Sequence, residues 1–138
     1  MTIYAHCDGA SRGNPGESGI GIILRDEKGA LMYSGGGYIG KATNNIAEYE
    51  ALIACVTKAR QLRCEKLIVR SDSQLMVRQL RGEYKVKDKQ LQKYFRKVNE
   101  LIRTGEFEFE IIHVEREQNH DADMLANAGI DSKRELRV

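Results

Sequence analysis

The chain has 138 residues, 41% hydrophobic and 30% charged, with 22 Lys and Arg against 20 Asp and Glu for a formal net charge of +2. That balance excludes a disordered or low-complexity chain and points to a single globular domain spanning 1–138 with a core that needs no disulfide or metal staple. No apolar run approaches the roughly 20 residues a membrane span requires, and no basic-then-apolar leader opens the chain, so the expectation is a cytoplasmic, monomeric protein with no membrane partner.

In chain order, residues 2–8 alternate: Ile3, Ala5 and Cys7 share one face, and Tyr4, His6 and Asp8 the other, a strand pattern. Gly9 to Gly19 reads as a glycine-rich turn. Residues 19–25 and 30–39 form two strands joined by a turn at Asp26 to Gly29. From Asn45 to Leu62 the period becomes helical, with Leu52, Cys55, Ala59 and Leu62 on one stripe. Residues 66–71 hold a short β-branched strand, and Ser73 caps a helix that ends by Gly82. Asp88 caps the next helix, which Thr104-Gly105 stops. Phe107 to His113 alternate as a strand, and a last helix runs from near Asn119 to near Asp131. The order β-β-β-α-β-α-α-β-α implies an α/β fold: an antiparallel meander extended by parallel strands into a five-stranded mixed sheet, with helices on its faces. The odd number of cysteines, without metal-type spacing, reads as reduced thiols, with Cys7 and Cys55 in the core.

Four acidic residues stand out by position. Asp8 ends the first strand, Glu48 continues the apolar stripe of the first helix, Asp72 ends the fourth strand, and Asp123 lies in the first turns of the last helix. Each has an ordinary reading beside a functional one. Asp8-Gly9 suits a turn, Glu48 suits a capping box on Asn45, Asp72 suits a turn or helix cap beside Ser73, and Asp123 suits a charge–dipole contact. Together they suggest more, because carboxylates gathered at one end of a sheet repel one another unless protonated or bridged by hard divalent cations. Spacing alone does not show that the four meet.

The local sequences around these residues resemble those of type 1 ribonucleases H. Asp8-Gly9-Ala10-Ser11-Arg12-Gly13-Asn14-Pro15-Gly16 is similar to the family's opening motif, and Thr43-Asn44-Asn45-Ile46-Ala47-Glu48 to its second. Asp72-Ser73-Gln74 is similar to the third, and Asn119-His120-Asp121-Ala122-Asp123-Met124-Leu125-Ala126 to the fourth. Any one is weak; four in family order over residues 8–126 are specific. The resemblance implies the ribonuclease H-like fold and hydrolysis of the RNA strand of RNA/DNA hybrids, with products bearing 3′-hydroxyl and 5′-phosphate ends. It implies that Asp8, Glu48, Asp72 and Asp123 bind two Mg²⁺ ions, for which Mn²⁺ substitutes. Asp8 would bridge both ions, Asp123 would hold the one that activates water, and Glu48 and Asp72 the one at the leaving oxygen.

The same resemblance implies that Ser11, Asn14, Asn45 and Gln74 line the minor groove of the substrate, where amide and hydroxyl groups suit 2′-hydroxyls and base edges, that Asn44 is a further substrate contact, and that Thr43 meets a DNA phosphate. Double-stranded RNA shares enough of that surface to be a second substrate.

The chain departs from many relatives in two places. The segment Gly82 to Lys89 is too short for a basic protrusion, yet residues 76–103 carry nine basic and three acidic residues, a local excess of +6. Lys85, Lys87 and Lys89 are therefore the candidate phosphate contacts, against the alternative of a solvated helix face. The loop before the last helix also lacks the family histidine. Arg116 or Glu117 takes its auxiliary role, or no residue does. His6 and His113 read as structural strand residues and His120 as a surface residue. Two further classes compete: a nucleic-acid-binding domain without activity, and a DNA nuclease of related fold. The full set of carboxylates disfavours the first, and the Asn/Gln/Thr set disfavours the second.

Overall fold

A computed structural model describes all of residues 1–138. Its sheet has the order β3-β2-β1-β4-β5. The first three strands, β1 (Thr2–Gly13), β2 (Gly16–Arg25) and β3 (Leu31–Ala42), form the antiparallel meander. Strands β4 (Lys66–Ser71) and β5 (Glu108–His113) extend it in parallel beyond β1. This is the five-stranded mixed sheet the element order implied. The helices are α1 (Asn44–Gln61), α2 (Gln74–Leu80), α3 (Lys89–Gly105) and α4 (His120–Ser132), the last preceded by a 3₁₀ turn, Arg116–Asn119. No helix is long and apolar enough to cross a membrane.

The stretch Gly9 to Gly19 is not a turn. β1 and β2 pair continuously from Tyr4↔Arg25 to Gly13↔Gly16, so Asp8 lies inside β1 rather than at its end. Gly13, at φ 97°, serves the tight turn at Asn14-Pro15, whereas Gly9 and Gly19 let helices approach the strands. A methyl group on Gly9 would overlap the Ala47 carbonyl and the Glu48 amide of α1. One on Gly21, the partner of Asp8 across the sheet, would overlap the Ala122 carbonyl of α4. Neighbouring strand positions point to opposite faces, so α1 and α4 cover opposite sides of the sheet.

The main core lies under α1, where Ile3, Ala5, Cys7, Ile22 and Leu24 meet Leu52, Cys55 and Val56, all completely buried. Complete burial of these side chains removes on the order of 1.5–3 kcal/mol of apolar hydration for each large one. All three cysteines are buried free thiols, including Cys64, which the spacing had left outside the core.

Helix ends follow their caps, with one correction. Ser73 Oγ accepts from the Met76 amide at 3.3 Å, and Asp88 Oδ1 accepts from Gln90 and Leu91 at 2.9 and 3.0 Å. The cap of α1 is Thr43, not Asn45: its Oγ1 accepts from the Ile46 amide at 3.2 Å. The helix therefore begins earlier, Glu48 falls outside any capping box, and its carboxylate is released for another partner. The C-terminal segment packs: Tyr38 N donates to Arg134 O at 2.7 Å, and Leu136 lies against Gly35 and Gly37.

Candidate active site

Sheet register brings the acidic residues together. β1 and β4 pair from Thr2↔Lys66 to His6↔Arg70, and continuing that register sets Asp72 opposite Asp8. Glu48 arrives from the first turns of α1, and its Oε1 accepts from the Gly9 amide at 2.5 Å. Ligand oxygens of Asp8, Glu48 and Asp72 all lie within 4.8 Å of one another. Asp123 stands outside that tight group, but it lines the same groove from α4.

The groove has a volume of about 580 Å³ and a single hydrophobic residue, Ala10, in its lining. Asp8 is 4% exposed and Glu48 9%. Burial, with the negative charges of Glu48 and Asp72 beside it, pushes the Asp8 carboxyl up to about 10. Burial likewise pushes Glu48 up to about 8, against the lowering effect of the Gly9 amide. Arg116 lines the groove, yet no lysine or arginine forms an ion pair with any of the four carboxylates. Crowded carboxyls without a cationic partner are a charge deficit that a hard divalent cation fits: the donors are all oxygen, and close enough to share an ion.

Of the other sequence candidates, Ser11, Asn44, Asn45 and Arg116 line the groove. Ser11 Oγ is also engaged with Ser18 Oγ at 2.6 Å. Asn14, Thr43, Gln74 and Glu117 lie outside the lining. Asn14 Oδ1 accepts from the Asn44 amide at 3.1 Å, which ties the β1–β2 turn to the start of α1. Thr43 is the helix cap, and Gln74 is exposed at the start of α2. Lys85 and Lys87 line a separate surface groove with Leu75, Glu83 and Tyr84, and Lys89 is exposed at the start of α3.

Three groove residues were not singled out by sequence: His113, Glu115 and Asn127. His113, read as structural, is exposed. The β4–β5 register places it beside Ser71, one residue before Asp72. Asn127 lies one helical turn after Asp123, a spacing visible in the sequence. His120 is exposed and outside the lining.

A mixed five-stranded sheet, with a carboxylate-lined groove where its central parallel strands end and two helices deliver further acids, defines the ribonuclease H-like class of α/β protein. The chain belongs to that family: residues 6–129 match its model described as reverse transcriptase-like. It is 42% identical over 129 residues to ribonuclease HI of Halobacterium salinarum, covering 94% of this chain and 64% of that protein's length. The crystal structure of RNase H1 from that archaeon superposes with a TM-score of 0.91 at 41% identity, over 96% of this chain and 99% of the other. LC11-RNase H1, solved in complex with an RNA/DNA hybrid, also gives a TM-score of 0.91, at 40% identity over 94% of this chain and 97% of the other.

Proposed function

We propose that this protein is an endonuclease that hydrolyses the RNA strand of RNA/DNA hybrids, acting as a single catalytic domain with two Mg²⁺ ions and leaving 3′-hydroxyl and 5′-phosphate ends. The observation that carries this reading is the trio Asp8, Glu48 and Asp72, with oxygens within 4.8 Å and no cationic partner, and with the Asp8 and Glu48 carboxyls raised. The similarity to LC11-RNase H1, solved with a hybrid, supports the substrate class.

Asp8, Glu48, Asp72 and Asp123 would hold the ions. When bound, such a pair generates a nucleophile at neutral pH, neutralises the scissile phosphate and stabilises the leaving oxygen. The chain's own part is to hold four carboxylates at fixed spacing on rigid elements. The Gly9 amide fixes Glu48, and the strand register fixes Asp8 against Asp72. Asn44 and Asn45, exposed on the groove beside Glu48, would read 2′-hydroxyls and base edges, with Ser11, Asn14 and Gln74 further along. Thr43, Lys85, Lys87 and Lys89 would meet phosphates. Arg116 is better placed than Glu117 for an auxiliary role, since it lines the groove.

The test is to incubate a labelled RNA/DNA hybrid, double-stranded RNA and duplex DNA with Mg²⁺, Mn²⁺ or EDTA. Cuts confined to the hybrid's RNA strand and abolished by EDTA are expected. Asp72→Asn should abolish cutting and retain binding. Cleavage of duplex DNA, or unchanged turnover in Asp72→Asn, overturns the reading.

A further inference from the structure

Asp123, Asn127 and Asp131 are spaced four apart on α4 and share one face. Arg12, on the β1 arm of the first hairpin, lies across that face. Its Nη1 donates to Asp131 Oδ1 at 2.7 Å, and its Nη2 donates to Asn127 O and Asn127 Oδ1, each at 3.4 Å. The Asn127 Nδ2 in turn donates to Asp123 O at 3.1 Å and to Asp123 Oδ1 at 3.4 Å. The amide is therefore engaged at both ends. A guanidinium only donates, so it holds the amide oxygen toward itself and leaves the amide nitrogen facing the carboxylate. Asn127 is half-buried and lines the groove. It touches the one acid that stands outside the tight trio, the one whose reach toward Asp8 depends on its own rotamer.

We infer that Asn127, oriented by Arg12, is a positioning residue that sets the Asp123 carboxylate toward Asp8, and that Arg12 ties this setting to the first hairpin. The inference rests on the reading of Asp123 as a metal ligand. Arg12 lies between Ser11 and Asn14, the residues proposed to face the hybrid, so a substrate seated on the hairpin steadies the same chain of contacts. The Arg12–Asp131 pair is exposed and adds little to stability, so the contact can be cut without unfolding the protein.

The experiment compares the full-length wild type with Asn127→Ala, Asn127→Asp and Arg12→Ala. It measures thermal unfolding, steady-state cleavage of an RNA/DNA hybrid across a Mg²⁺ titration, and the ¹³C resonance of the Asp123 carboxyl in EDTA. Loss of an outer contact to a metal ligand costs roughly 10-fold or more in activity or metal affinity. Asn127→Ala should therefore lower kcat about 10-fold and raise the Mg²⁺ needed for half-maximal activity, with KM for the hybrid and the unfolding temperature unchanged. The Asp123 resonance should move in the metal-free protein. Asn127→Asp keeps an acceptor for Arg12 but loses the donor, so it should fall at least as far. Arg12→Ala should act in the same direction, less strongly. The inference is overturned by wild-type kcat and Mg²⁺ requirement in Asn127→Asp, by an unmoved Asp123 resonance, or by a joint fall of kcat, hybrid affinity and stability that marks a merely structural role. A wild type that cuts no hybrid sinks the proposed function alone, and the Asp123 resonance still decides the contact.

Discussion

The Gly9 amide donates to Glu48 Oε1 at 2.5 Å, joining residues 39 apart in the chain and fixing the first helix to the strand that carries Asp8. The contact exists because Gly9 has no side chain: a methyl group there would overlap the Ala47 carbonyl and the Glu48 amide. Gly9→Ala must push α1 away from β1, and overpacking of this kind costs about 1–3 kcal/mol. The expected result is a lower urea midpoint together with a rise in the Mg²⁺ concentration needed for hybrid cleavage. A variant with wild-type stability and metal dependence would show that the approach is not needed.

The four acids were legible by position: two at strands, two on the first turns of helices. What joined them was not. The strand register that sets Asp72 opposite Asp8, and the cap at Thr43 that frees Glu48, are relations between distant or competing segments. The hairpin was misjudged for a related reason. Glycines at 9, 13, 16 and 19 have the composition of a turn, but Gly9 and Gly19 are shaped by helices that arrive later in the chain. His113 depends on the β4–β5 register, which alternation within one strand does not reveal. Asn127 was visible as the position four after Asp123; the hairpin arginine that orients it was not.

Stability should depend on pH with a sign set by the raised carboxyls. Asp8 is displaced from 3.8 to about 10 and Glu48 from 4.5 to about 8, first by burial and then by the charge of Asp72 beside both. Between those limits the folded, metal-free protein binds more protons than the unfolded chain. Their contribution is thus complete below about pH 4 and lost progressively as pH rises through 8 to 10. His6, lowered by burial, acts in the opposite direction near neutrality, so the comparison must be with Asp8→Asn. In EDTA, the difference in urea midpoint between wild type and that variant should shift against the wild type from pH 5 to pH 9. Mg²⁺ should stabilise the wild type increasingly over the same range, because it binds the deprotonated groups. A pH-independent difference would mean that the carboxyls are not perturbed.

Asn119 gives a test of the opposite face. It is 1% exposed, and its Nδ2 donates to the Cys7 carbonyl at 2.9 Å, just before Asp8, while its Oδ1 has no partner. Asn119→Leu leaves the Cys7 carbonyl unsatisfied, a loss of roughly 1–3 kcal/mol, offset in part because the orphaned oxygen goes too. The expected net change is a loss of about 1–2 kcal/mol in chemical denaturation. A more stable variant would show that the orphaned oxygen outweighs the bond.

The basic loop between α2 and α3 has two readings, and salt separates them. Glu83 pairs with Arg78 at 3.6 Å and Arg81 at 3.2 Å, while Lys85 and Lys87 have no acidic partner and sit beside exposed Tyr84. Unpaired lysines away from the carboxylate groove are free to meet a backbone that extends past the cleavage point. A contact with a DNA phosphate adds about 0.9 to the slope of log affinity against log salt. The Lys85→Ala, Lys87→Ala double variant should therefore weaken hybrid binding, reduce that slope by roughly 1–2, and leave kcat at saturating hybrid unchanged. Thr43 and the groove residues would keep their contacts, so binding should weaken rather than vanish. If the slope is unaltered, the lysines are a solvated surface, and the phosphates are gripped elsewhere.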